Sequence, residues 1–142
     1  MSIHDPLLAR NPALTVIRDR RSVRMFADRP VSDEDIATIL HAANQAPSAH
    51  NQQSWRFVVL RGDKRGDLAN LVNARAGGFP RASAALLRMA ARSIASAPVV
   101  VAVANTGELI HRGTELFAAE GEGAADFFRT MEIQSSAAAV EN

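Results

Sequence analysis

Three polar side chains in alternation, Arg20, Ser22 and Arg24, carry the first chemistry that this chain offers. They lie in the run Arg20-Arg21-Ser22-Val23-Arg24, just past a short helical pattern. Guanidinium forks match phosphate oxygens two at a time, and a serine hydroxyl or a free backbone N–H adds further donors. In extended backbone alternate residues share one side, so Arg20, Ser22 and Arg24 would converge on a single anion. The same residues would equally make a solvated basic turn, and the motif by itself does not separate the two. A second polar stretch is Pro47-Ser48-Ala49-His50-Asn51-Gln52-Gln53-Ser54-Trp55. Its hydroxyls and side-chain amides can read the polar edge of a heteroaromatic ring or a sugar chain, or they can simply close a helix end.

These groups need elements to position them. Ala13 to Arg21 predicts a short helix with Leu14, Ile17 and Val16 turned inward. An irregular link from Ser22 to Val31 follows, closed by Pro30. Ser32 then caps a second helix whose first turn carries Asp33, Glu34 and Asp35, with Ile36, Ile39, Leu40 and Ala43 as its apolar stripe. Pro47 ends it, because the residue before a proline avoids the helical region. Trp55 to Leu60 reads as a strand, with Trp55 as a core anchor, ending at Arg61-Gly62-Asp63. Arg65 to Arg75 predicts a helix with Leu68, Leu71 and Val72 inward, broken by Gly77-Gly78-Phe79-Pro80. Another helix is expected from Arg81 to Ala95, burying Leu86, Met89 and Ala90, and Val99 to Ala104 follows as a buried strand. Beyond Asn105, Gly121 and Gly123 separate a short helix near Glu115 from a longer one starting near Ala124. The longer helix should bury Phe127, Phe128, Met131 and the alanines from Ser136 to Val140. It shows no stop signal before Asn142, as if the pattern ran on.

The composition excludes several classes. With 142 residues, 47% hydrophobic and 22% charged, the chain suits one globular domain over residues 1–142. Cysteine is absent, which removes disulfides and thiolate metal sites and suits a reducing cytoplasm. Neither a signal peptide nor the roughly eighteen apolar residues of a membrane helix is expected. The net charge of +1 is unevenly spread. Arg10 to Arg29 holds six arginines against Asp19 and Asp28, whereas Gly107 to Asn142 sets Arg112 and Arg129 against seven acids. A basic start invites an anion. Phe26 is the only aromatic in that stretch and the chain has no tyrosine, which argues against nucleic acid as the partner. His4, His41, His50 and His111 lack the paired spacing of a metal site, and no Gly-x-Gly-x-x-Gly follows a strand.

Read together, the two polar stretches form a longer pattern. Arg20-Arg21-Ser22-Val23-Arg24-Met25-Phe26, Pro30-Val31, Ile36, Ile39-Leu40, Ala42-Ala43, Ala46-Pro47-Ser48, Asn51-x-Gln53 and Trp55-Arg56-Phe57-Val58-Val59 resemble the opening of the nitroreductase family. Ala97-Pro98 with Val99 to Val103 is similar to that family's next core strand, and Ala137 to Asn142 to the start of its central dimer helix. The resemblance implies an α+β fold, with a mixed, mainly antiparallel sheet surrounded by helices. It also implies a homodimer holding FMN at the subunit interface, with NAD(P)H as electron donor and nitroaromatics, quinones or similar acceptors as substrates. On that pattern Arg20, Ser22 and Arg24, with Arg21 beside them, hold the FMN phosphate and ribityl chain. Pro47, Ser48, Ala49 and Asn51 approach the flavin from the other subunit, Gln53 makes a minor contact, and Arg92 stands near the flavin pyrimidine. No side chain is required as a catalytic group, since hydride chemistry belongs to the cofactor.

The sequence departs from the family in two places. Ser54 stands where a proline usually precedes the tryptophan, and the family pattern continues beyond Asn142, so the domain is expected to be C-terminally incomplete. That opens two other functions. One is a non-catalytic or partner-completed subunit of a heteromeric complex, in which another chain supplies the missing half. The other is a flavin-dependent oxidase or dehydrogenase acting on a peptide-derived substrate.

Overall fold

The computed structural model describes residues 11–117 and 123–142. Among them are six α-helices and a two-stranded antiparallel sheet, a mixed α+β arrangement. The helices are α1 (Pro12–Asp19), α2 (Asp33–Asn44), α3 (Asp63–Arg75), α4 (Arg81–Ser96), α5 (Glu108–Leu116) and α6 (Gly123–Glu141). The strands are β1 (Trp55–Leu60) and β2 (Val100–Asn105), paired from Trp55 opposite Asn105 to Leu60 opposite Val100. Short 3-10 turns occupy Ala49–Asn51 and Ala76–Gly78. His4 and the break at Gly121 lie outside the described residues.

Local chemistry explains most of the boundaries. The Asn11 side chain accepts the Ala13 N–H to start α1, and Pro12 sits at a first-turn position that suits its missing donor. At α2 the Ser32 hydroxyl accepts the Asp35 N–H at 3.0 Å and donates to the Asp35 carboxylate at 2.7 Å. Three acids then fill the positive end of the helix. α3 begins at Asp63, two residues before the expected start, with Gly62 at φ 54° turning the chain out of β1.

Packing overturns several inward faces expected from periodicity. On α1, Leu14, Val16 and Ile17 are all exposed, because no described element covers that side. Ile36 and Ala43 of α2 are buried and Leu40 is half-buried, whereas Ile39 is 59% exposed. On α3 the innermost residue is Ala69, flanked by half-buried Leu68 and Val72, and Leu71 faces out. α4 is turned differently from expectation: Ala84, Leu87, Ala91 and Ile94 face in, while Leu86, Met89 and Ala90 face out. The reason is close approach. α3 and α4 pack against each other, and their buried residues, Ala69, Ala84 and Ala91, are small, which lets two helices meet more closely than leucines would. Arg65 adds a tie, its guanidinium donating to the carbonyl of Ala97 just before β2.

α6 lies across the rest. Its buried residues, Ala124, Phe128, Glu132, Ser135 and Ala139, recur every three or four positions and form one stripe. The lower part packs with Leu109 of α5, and the upper part with Trp55 and Ala46 against half-buried Phe57 and Val103. Phe127, expected inside, is 60% exposed and meets the Phe128 ring edge-on at 5.3 Å. Trp55 is the expected anchor: it is 3% exposed, and its ring N–H donates to Asn44 at 3.1 Å.

Three substitutions at two positions test this packing. A Cβ at Gly113 would collide with the Phe128 ring, so Gly113→Ala should lower the unfolding free energy by about 1–3 kcal/mol in denaturant titrations. Glu132 is fully buried, and one of its oxygens accepts the Gly107 N–H at 2.6 Å. Glu132→Ala removes that acceptor and opens a cavity, at a cost of about 2–4 kcal/mol. Glu132→Gln keeps the acceptor and should cost clearly less; equal losses for the two variants would contradict this role.

Candidate functional site

The basic segment leaves the end of α1 in extended form, with Arg20 at φ −54°, ψ 134°. The Arg20 guanidinium lies 3.5 Å from the Ser22 hydroxyl, and that of Arg24 lies 3.5 Å from the Ser22 carbonyl. Both distances are at the outer limit of a hydrogen bond, so the arginines gather around Ser22 while most of their donors stay available. Arg21 turns the other way. Its Nη1 donates to the carbonyls of Arg18 and Arg20, closing the C-terminal end of α1. Arg18 and Asp19 pair with each other at 2.7 Å. Hydrogen bonding from Arg18, against desolvation and with help from the charges of Arg18 and Arg21, holds the Asp19 carboxyl below its ordinary range. Asp19 is therefore engaged by Arg18, and among the described residues neither Arg20 nor Arg24 forms an ion pair. All four of Arg20, Arg21, Ser22 and Arg24 are exposed.

The second group is built on backbone strain. His50, Asn51 and Gln53 have φ values of 52°, 54° and 46°, a left-handed conformation that is unusual for residues with a Cβ. Each such residue costs of order 1–3 kcal/mol and persists only where its surroundings hold it. The holding is visible. The Ser48 hydroxyl accepts the Gln53 N–H at 3.0 Å, and the Ser48 carbonyl accepts the Asn51 N–H at 3.0 Å. The Gln53 amide donates to the Asn44 carbonyl at 3.3 Å, which anchors the loop to the end of α2. From across the molecule, the Ser135 hydroxyl of α6 accepts the Ala49 N–H at 3.0 Å and donates to the Met131 carbonyl at 2.7 Å.

Between this loop and α6 runs an open groove of about 290 Å³, lined by Pro47, Ser48, Ala49, Met131, Gln134, Ser135 and Ala138. Its lining mixes apolar side chains with a few polar groups, the usual make-up of a small-molecule site. The structure thus brings Arg20, Ser22 and Arg24 together, and separately Pro47, Ser48 and Ala49. Within the chain no hydrogen bond or ion pair joins the two groups. Asn51 stands at the exposed tip of the loop. Arg92 is exposed on α4 and makes no hydrogen bond or ion pair among the described residues.

Sequence reasoning missed the α6 wall of the groove. Met131, Gln134 and Ser135 lie more than eighty residues beyond the loop that they meet, so no spacing could pair them. One signal was present: Glu132 and Ser135 are polar residues inside an otherwise apolar helical stripe. Among the described residues no group of three or more His, Cys, Asp or Glu could hold a metal ion. No helix there is long and apolar enough to cross a membrane.

The chain is similar to known proteins. The model of the nitroreductase family matches residues 17–142. NADH dehydrogenase of Thermus thermophilus is 34% identical over 111 residues, covering 72% of this chain and 47% of that protein. Nitrobenzene nitroreductase of Ectopseudomonas oleovorans is 52% identical over 50 residues, 35% of this chain and 22% of that protein. In each case the match covers less than half of the relative's length. Among solved structures, a BluB-like flavoprotein from Clostridium difficile superposes with a TM-score of 0.65 at 29% identity, covering 92% of this chain and 67% of that one. The match of the family model from the end of α1 through α6 takes in both the arginine trio and the strained loop, and on that ground the chain belongs to the nitroreductase family.

Proposed function

We propose that this protein is an FMN-dependent oxidoreductase that uses NAD(P)H to reduce nitroaromatics, quinones or similar acceptors. The observation that carries the reading is the gathering of Arg20 and Arg24 around Ser22, with free donors and no acidic partner among the described residues. Such a cluster fits a phosphate, which takes charge-assisted bonds from two guanidinium forks and a hydroxyl. Arg21 supports it from behind by fixing the end of α1. The groove beside Pro47, Ser48 and Ala49 fits a planar ring system, and Asn51 at the loop tip offers an amide to its polar edge. Among the described residues no hydrogen bond or ion pair joins the two groups. We therefore assign them to two flavin sites of a homodimer, the trio from one subunit facing the loop of the other. Arg92 is assigned to the pyrimidine edge, where a fixed positive charge favours added negative charge. When bound, FMN would supply the hydride chemistry, and the protein would supply position and electrostatics. The names of the two relatives agree with this choice of donor and acceptor, and we place the enzyme in the cytoplasm as a single domain.

A second reading is favoured by one feature. Ile39, Val101 and Val140 are exposed apolar residues around a groove of about 120 Å³ whose other walls include Leu40 and Phe57. A polypeptide covering that groove would make this chain a partner-completed subunit of a heteromer.

The purified protein should be yellow and should oxidise NAD(P)H when given a nitroaromatic or a quinone. A colourless preparation that takes up no added FMN would remove the enzyme reading for this chain and leave the partner-completed one. Replacing both Arg20 and Arg24 by alanine should weaken FMN binding by about 3–6 kcal/mol, since charge-assisted bonds contribute roughly 1.5–3 kcal/mol each. Arg21→Ala should cost less than either single replacement. Fluorescence titration with FMN measures all of these, and an unchanged affinity in the double variant would mean that the phosphate lies elsewhere.

A further inference from the structure

We infer that Ser135 is a positioning residue for the flavin site: its hydroxyl holds the strained 48–53 loop in its binding form through the Ala49 N–H. The inference rests on the FMN reading above and extends it to a residue of α6. Three left-handed residues crowd into this loop, at 50, 51 and 53, and such backbone relaxes unless it is held. Ser48 ties the loop to itself, and Gln53 ties it to the adjacent end of α2. Among the described residues, Ser135 makes the single hydrogen bond that reaches residues 48–53 from a distant part of the chain.

The geometry of that bond suits the task. Ser135 is 5% exposed, and its hydroxyl is used in both directions, donating to Met131 within α6 and accepting from Ala49. The proton of the hydroxyl is therefore committed to α6, which leaves a lone pair aimed at the loop. The Ala49 methyl also packs against the buried cluster of Leu109, Ala124 and Phe128. Ala49 is fixed by both its N–H and its side chain, and the residues that would meet the ring, Pro47, Ser48 and Asn51, follow from its position. Without the bond the loop would sample relaxed conformations, and binding would have to reorder it first.

Two measurements on the full chain test this: FMN affinity by fluorescence titration, and amide hydrogen exchange at Ala49 in the FMN-free protein. Ser135→Ala should bind FMN about five- to tenfold more weakly, and its Ala49 amide should exchange faster by a similar factor. Ser135→Thr keeps the hydroxyl and should restore both to within about twofold. Ala49→Pro deletes the donor instead of the acceptor, and Ser48, at φ −138° and ψ 153°, already has the conformation required before proline. It should weaken FMN as Ser135→Ala does, and the double variant should be no weaker than the worse single one. If Ser135→Ala does not fold, Ala49→Pro carries the same test, since it leaves the bond from Ser135 to Met131 in place. Wild-type affinity in Ser135→Ala, or unchanged exchange at Ala49, overturns the inference. A wild-type protein that binds no FMN, while its Ala49 exchange still depends on Ser135, overturns the flavin reading instead.

Discussion

The rest of the structure depends on a single helical stripe. Ala124, Phe128, Glu132, Ser135 and Ala139 all face inward from α6, and together they meet several separate parts of the chain. Phe128 fills the space left by the missing side chain of Gly113. Glu132 holds the turn between β2 and α5 at Gly107, and Ser135 holds the loop at Ala49. Ala139 closes over Trp55 and Ala46, and beyond the stripe the Asn142 amide reaches the Ala42 carbonyl at 2.7 Å. Apolar contacts supply the burial, while the two polar residues set the registry. A helix packed by alanine and phenylalanine alone could slide or rotate with small loss, whereas a buried hydrogen bond is lost outright when its geometry fails.

Glu132 illustrates the cost of such specificity. It is fully buried, and among the described residues it has no cationic partner and one carboxylate oxygen has no hydrogen-bond partner. Burial of that kind is unfavourable unless it fixes something that apolar packing cannot. Here it meets the N–H of Gly107, whose φ of 77° starts α5, so the carboxylate sets the direction in which the chain leaves the sheet. The Ser54 hydroxyl is likewise buried and unpartnered, next to the strained loop. An unsatisfied hydroxyl and three left-handed residues therefore fall together in the segment from Ser48 to Ser54. The fold tolerates local strain there and holds it in place from α6.

How much of this was legible beforehand differs from element to element. The cap at Ser32, the strand from Trp55 and the break after Arg75 are local events, governed by a hydroxyl, a run of β-formers and a pair of glycines, and each lies where its residues place it. The facing of α4 was not legible. Leu86 and Met89 form as good a helical stripe as Leu87 and Ile94, and the choice fell to the alanines that let α4 approach α3. The outward faces of Leu14 and Ile39 have the same origin: periodicity predicts that a side is apolar, but burial requires something to cover it.

The candidate site divides along the same line. Arg20, Ser22 and Arg24 are close in sequence, so extended backbone alone brings them together, and their suitability for a phosphate follows from residue type. The sequence by itself thus determined the clustering of the arginine trio, the α+β class and the family resemblance. Only the tertiary structure decided the other wall. The meeting of Ala49 with Ser135 spans 86 residues, and its geometry is set by how α6 seats on Trp55 and Leu109. Contacts at that separation arise from packing, which depends on volumes and hydrogen bonds contributed by several elements at once, and no local pattern encodes their sum.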